Sequence, residues 1–526
     1  MQRFELRQAD FDKGSYFARQ PGIYVFMENI IFNPLPENDY FPTHEQKAVY
    51  QPFILGFFAA LIIISDDVEI DLNGFKFDQG LEHSLQQRFY AHVNIGSGPF
   101  KFGTGPAKWY NSESEYFGVK NVKIRNGNMG LSSHHGILGN DSFNIQISNL
   151  KIHDYEIAGI GLNGGGDFHL SDLDIGPSLQ KIPLDSTYSA ARFIRQFVKQ
   201  IIKRDSTLTF RGMNGLAILQ RLQDRMTQTF RQVIAHGSTD DDLFANKGEL
   251  NQGTQYGLIL GPSGPKILGE YCGQPKVQNV TLERIKIHDL RTNPKHILGL
   301  SAPGNTNSLP VFPHDFQVDV GGAQIRIKEI MDPTNKSYRE NELTDCQLFC
   351  AKNAQNEKES GKNCISMHTV NWAEGKETSP LLHGAGYLAG SDFQSHVSKA
   401  MRAIRLEGIQ NLRLDDIEIT NIENRGHYPS ADMVLAGCPV RGHPAATLAG
   451  LNSADAIAIS LSSCSGISLG KIVVDGVKSW HGNAHVLETN FVNTGIVGQS
   501  NIVSSNIESL VSSNSLAGKS NPHCVI

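Results

Sequence analysis

The sequence predicts an all-β chain of short parallel strands stacked as repeats, and three observations carry that expectation. First, a block recurs at a spacing of 23 residues: Asn121-Val122-Lys123-Ile124-Arg125-Asn126, Asn144-Ile145-Gln146-Ile147-Ser148-Asn149 and Asp167-Phe168-His169-Leu170-Ser171-Asp172, each followed by an apolar residue in register at Met129, Ile152 and Ile175. Second, the block returns out of phase at Asn279-Val280-Thr281-Leu282, Asn411-Leu412-Arg413-Leu414 and Gly466-Ile467-Ser468-Leu469. Third, another strand signal precedes four of these copies, at Gly136-Ile137, Gly159-Ile160, Ala403-Ile404 and Ala458-Ile459. A period of this length marks stacked units rather than one closed core.

Each part of the block has a physical reason. Alternation puts Val122 and Ile124 on one face of a strand and Lys123 on the other. One short strand cannot bury that face or satisfy its own backbone. The next copy, roughly 4.8 Å away, does both, so Ile124, Ile147 and Leu170 are expected to form one buried column. Asn or Asp at the block's start suits a left-handed turn. Glycines 127, 130, 136, 159 and 161 are expected at the corners between strands. The leucine-rich repeat has a similar period but needs Leu-rich blocks with a helical segment, whereas these blocks favour Ile, Val and Phe.

These blocks resemble the right-handed parallel β-helix of the pectate-lyase-like superfamily. The opening Asp67-Val68-Glu69-Ile70-Asp71-Leu72-Asn73-Gly74-Phe75 is similar to the strand that starts many such solenoids. In overall style the chain is also similar to β-helix proteins of large algal viruses and protists. The resemblance implies an all-β, right-handed, single-stranded parallel β-helix; it says less about activity, because that superfamily holds lyases, hydrolases, epimerases, tailspikes and adhesins.

The expected organisation is an N-terminal cap over residues 1–52 and a β-helix over 53–510, with a loose tail, rich in Ser, Asn and Gly, over 511–526. Two insertions interrupt the coil. Residues 178–250 are expected to hold an α-helical hairpin, with apolar stripes from Phe193 to Ile202 and from Leu219 to Ile234. Residues 188–236 carry nine Lys/Arg against two Asp, a net of +7 in a chain of net charge −6. This hairpin is either a solvated outer face or an arm facing an anion or a second copy in a homo-oligomer. The second insertion, 291–400, is loop-rich, and such loops often build binding grooves.

Composition narrows the class. Charged residues make up 19% of the 526, which favours neither disorder nor a nucleic-acid partner. Met1-Gln2-Arg3-Phe4-Glu5 lacks the look of a signal peptide, and the apolar run Phe53 to Ile64 is too short to cross a bilayer. No membrane partner is expected, and the location is cytoplasmic or inside a particle such as a virion. Seven cysteines argue against a complete disulfide framework. Cys346, Cys350, Cys364 and His368 have spacings that suit either a zinc site or free thiols. No P-loop or dinucleotide-binding glycine pattern is present, and no cofactor is assigned.

The densest polar cluster is Ser132-Ser133-His134-His135, followed one repeat later by His153-Asp154-Tyr155-Glu156. The repeat offset aligns Ser133 with Glu156, which sets His134 and His135 beside a carboxylate as candidate catalytic residues. Such a pair would raise a histidine's pKa. His153, Asp154 and Asn163 are candidate substrate-binding residues, although Ile287-His288-Asp289 repeats the Ile-His-Asp step and favours a structural turn for the first two. The hydrolase and epimerase motifs of the superfamily do not carry over: Asp415-Asp416 lies in an ordinary block, and Pro313-His314-Asp315 is a reordered Asp-Pro-His. No metal ligands are assigned to the site. The leading expectation is a carbohydrate-active or carbohydrate-binding protein, and if catalytic a lyase, hydrolase or epimerase on an acidic glycan. The alternative is a non-catalytic structural or attachment protein.

Overall fold

A computed structural model describes residues 1–38, 40, 42–43, 56–87, 90–98, 117–177, 209–210, 213–214, 216, 256–262, 276–292, 317–320, 323–326, 401–424, 455–479, 483–490 and 496–509. It is nearly all β, organised around one large parallel sheet of 21 strands. Three ladders run through that sheet, and each successive segment of chain adds one strand to each.

The first ladder contains Tyr16–Ala18, Ala59–Ile63, Ala91–Ile95 and the starts of His135–Ile152 and Ala158–Ile175, then Tyr256–Gly261, Met401–Glu407, Ala456–Ser462 and Ala484–Asn490. The second runs from Arg3–Leu6 and Gly22–Phe26 through Val68–Asp71 and Lys120–Met129 to Ser465–Leu469. The third runs from Ile30–Phe32 and Lys76–Gln79 to Ile472–Ser479 and Ile502–Ser509.

Like stacks on like, as the alternation requires. Ile147 pairs with Ile124 on one side and Leu170 on the other. The column extends from Phe4 through Tyr24 and Ile70 to Ile124, and from Leu170 through Leu282 and Leu414 to Leu469. Tyr24 and Leu469 are 2% exposed and the residues between them are fully buried. Each such aliphatic side chain contributes about 1.5–3 kcal/mol by leaving water.

Asn and Asp make the left-handed corners, as expected at the start of each block. Asn121, Asn126, Asn144, Asn149, Asp154, Asp167 and Asp172 all have φ between 51° and 62°. Asn and Asp tolerate this left-handed region because a short polar side chain bonds nearby groups. Here the bonds run between repeats: Asn149 Nδ2 donates to Asn126 Oδ1 at 2.9 Å, Asn279 Nδ2 to Asp167 Oδ1 at 2.7 Å and Asn421 Nδ2 to Asp289 Oδ1 at 3.0 Å. Gly136 and Gly159, expected at corners, lie within strands instead. A Cβ on Gly136 would sit 2.6 Å from both Gly159 O and Ile152 Cγ2, so close packing excludes a side chain there.

The N-terminal segment contributes strands to the ladders. Arg3 pairs with Ile23, Gly22 with Val68 and Tyr16 with Leu61, so the ladders begin at Arg3. These partners are not 23 residues apart, and the sequence period therefore hides them. The apolar run near residue 60 is the buried strand Ala59–Ile63 of the first ladder.

Both expected helical stripes of the first insertion lie outside the described residues. At their join, Thr209–Phe210 pairs antiparallel with Met213–Asn214. In the second insertion Gln317–Val320 pairs antiparallel with Ala323–Arg326. Cys346, Cys350, Cys364, His368 and the tail from residue 511 also lie outside the described residues. No helix among the described residues is long and apolar enough to cross a membrane.

Candidate functional site

The third ladder turns into the first at residues 130–135, and again one repeat later at 153–158. Ser132 forms a parallel bridge with Tyr155. Ser132 N donates to Asp154 O at 3.1 Å, Glu156 N to Ser132 O at 3.1 Å and Ile157 N to His134 O at 2.9 Å. The backbone thus holds His134, His135 and Glu156 at one corner on adjacent levels. On the preceding level His135 N donates to Tyr90 O at 2.9 Å.

Local polar bonds shape this corner. Ser132 Oγ donates to His135 O at 2.6 Å and accepts from His134 N at 3.3 Å, closing a serine turn. Ser133 N donates to Gln79 Oε1 at 2.7 Å, and Gln79 Nε2 lies 3.0 Å from His83 Nδ1 on the short helix Leu81–Gln86. The rings of His134 and His135 are 4.2 Å apart at 57°, with their Nδ1 atoms in direct hydrogen-bond contact. The Nδ1 of His135 therefore meets another imidazole and not a carboxylate. Burial drives His135 down to about 3, the reverse of the raised pKa expected from a carboxylate partner. His135 is a neutral, buried ring, and His134 is the half-buried member of the pair.

The candidate binding residues divide. His153 Nδ1 donates to Gly176 O at 3.1 Å, and Asp154 takes the left-handed corner with φ 54°. Both bond or shape backbone at the corner that also carries Glu156. Asn163 lies at the far end of the strand, roughly 16 Å from Ala158 at about 3.3 Å per residue, and its Nδ2 donates to Asn140 Oδ1 at 3.1 Å. It is not brought beside His134.

Two further clusters were not singled out from the sequence. His288, in the column of His153 and Gly176, has Asp289 Oδ2 2.7 Å from Nδ1 and Asp174 Oδ1 3.0 Å from Nε2. The recurring Ile-His-Asp step was the available signal. The second cluster lies along the first ladder, with Tyr256, Glu407 and Ser460 buried and Arg402, Arg405 and Glu488 partly exposed. Arg402 Nε donates to Glu488 Oε2 at 3.2 Å, Ser460 Oγ donates to the same oxygen at 2.7 Å, and Arg405 Nη2 donates to Glu407 Oε1 at 3.0 Å. The Arg405 guanidinium lies 5.9 Å from the centre of the Tyr256 ring. Burial alone would raise the Glu488 carboxyl, but the Arg402 charge and the Ser460 hydrogen bond hold it below the usual carboxylate value. Glu488 is therefore an anion in a half-buried setting.

This second cluster joins cationic, aromatic and acceptor groups on consecutive strands of one face. Tyr256 pairs in register with Arg402, and Arg405 with Ser460, which pairs with Glu488. Guanidinium groups recognise carboxylates through paired donors, and a tyrosine ring offers an apolar face with a polar edge. Among the described residues no group of three His, Cys, Asp or Glu is placed to hold a metal ion. No protein-family model matches this chain, and no curated protein matches it either.

Proposed function

We propose that the chain is a right-handed, single-stranded parallel β-helix that binds an acidic polysaccharide lengthwise along its first ladder. One observation carries the reading: Arg402 and Arg405 stand between Tyr256 on one side and Ser460 and Glu488 on the other. Repeating strands about 4.8 Å apart set these groups in a row, with Tyr256 and Ser460 buried and the partly exposed Arg402 and Arg405 as the groups a polymer would meet. Three strand spacings separate Arg402 from His135, or about 14 Å, so a glycan bound along the row reaches the His134 and Glu156 corner. If the protein is carbohydrate-active, that corner supplies its proton-transfer groups.

The test is retention of purified protein on uronic-acid polymers and on neutral polysaccharides, with assays for unsaturated products and new reducing ends. Selective retention on the uronic-acid polymers, weakened at least tenfold in Arg402→Ala/Arg405→Ala, supports the reading. Absence of binding to every acidic polymer sinks it.

A second reading, a non-catalytic attachment or structural rod such as a virion spike, has its own support. Corner bonds repeat along the stack from Asn121–Asp67 to Asn411–Asn279, with Asn421–Asp289 at another corner, and stiffen it without serving any one site. Such a rod would be indifferent to loss of the two arginines.

A further inference from the structure

The position occupied by His92 is filled on most other strands of the first ladder by residues with little or no side chain, Val486 on the last strand excepted. Register places Gly136 level with it, and Gly159, Gly257 and Ala403 follow on later strands. A Cβ at Gly136, Gly159 or Gly257 would strike Ile152, Ile175 or Ile287, so this column points into the core. The imidazole of His92 is fully buried there, 5.1 Å from the Phe77 ring.

Its partners fix one neutral tautomer. Nε2 is 3.2 Å from Gly130 O, an acceptor, so Nε2 carries the proton. Nδ1 is 3.3 Å from Tyr90 Oη and accepts from it. A second ring proton would displace the Tyr90 hydroxyl proton into a dry core. The charged groups facing His92 come from Lys76–Gln79: Asp78, which favours the cation, and Lys76, which opposes it. His135, on the adjacent strand, faces the same limit. Its Nδ1 shares one proton with His134 Nδ1, and a second would set two N–H groups head to head. Asp154 and Glu156 are the carboxylates at that corner, held there by backbone bonds.

We propose that the stacked levels at residues 56–87, 90–98 and 117–139 form an acid-labile lock, which opens when His92 and His135 take up protons while the levels at 401–424 and 465–479 stay closed. Burial pushes His92 down to about 4 and His135 down to about 3, against about 6.5 for a free histidine. The folded state holds the neutral forms. Their stabilisation is complete above pH 6.5 and falls as pH drops from 6.5 towards the folded values. Stacked units open separately, so the loss stays local.

The experiment is hydrogen exchange of the whole protein between pH 7 and 4.5, expressed as protection factors. Protection at Val93 and Ile137 is expected to fall about tenfold per pH unit below 6.5 for each histidine that opens, while Ile417 and Ile419 hold. In His92→Gln, which keeps an amide donor for Gly130 O and cannot become charged, the fall becomes shallower. Uniform loss across all four positions would overturn the proposal, as would an unchanged pH profile in a folded His92→Gln protein. If that variant does not fold, the regional comparison in the wild-type chain still decides.

Discussion

The side-chain amide of Asn144 donates to Oδ1 of Asn121 at 2.8 Å, one repeat apart in sequence and one strand apart in space. Both residues are left-handed, with φ of 54° and 59°. The bond and the turn therefore depend on the same residue type.

Replacing Asn144 by Val removes the bond and forces a β-branched residue into the left-handed region. The expected cost is about 2–3 kcal/mol, most of it backbone strain. Asn144→Gly loses only the exposed hydrogen bond and is expected to cost about 1 kcal/mol or less. Chemical denaturation of the two variants checks the difference.

Ile147→Ala empties the centre of a column in which Ile124, Ile147 and Leu170 are all fully buried. The expected destabilisation is about 2–5 kcal/mol, as for other buried truncations. A change below about 1 kcal/mol, read from the denaturation midpoint, would contradict the packing described.

Gly136→Val places methyl groups against Ile152 Cγ2 and the Gly159 carbonyl. Overpacking of this kind costs about 1–3 kcal/mol or more. A variant as stable as the parent would show that the interior is looser than the distances indicate.

The Arg402–Glu488 pair sets a pH dependence. The Glu488 carboxyl titrates below its usual value in the folded protein, so its contribution is present above about pH 4.5 and is lost as pH falls through the folded value. Arg402→Met removes the main opposing charge and is expected to raise the Glu488 pKa, a shift measurable by carboxyl NMR titration. An unmoved titration would show that Arg402 does not hold Glu488.

The sequence made some of this legible and hid the rest for physical reasons. The 23-residue spacing exposed the column of Ile124, Ile147 and Leu170, because adjacent repeats of equal length give a visible period. Arg3 and Ile23, Gly22 and Val68, and Leu170 and Leu282 are equally paired, yet their spacings differ, so no period reveals them. Gly136 and Gly159 looked like corners because a sequence does not tell a turn glycine from one chosen for close packing. At the site, the offset of Ser133 and Glu156 was readable from the repeat, whereas the ring of His135 turned towards His134 was not. The Arg402, Arg405 and Glu488 cluster depends on pairing across 86 residues, with no local pattern to mark it.

Glycan binding along the first ladder is tested most directly by calorimetric titration with uronic-acid oligomers of increasing length, against wild-type protein and a folded Arg402→Ala/Arg405→Ala variant. Binding along the first ladder predicts that affinity rises with oligomer length and then levels off, and that the variant binds at least tenfold more weakly at every length. Binding by the variant equal to that of the wild type, or no binding of any oligomer by the wild type, would contradict it.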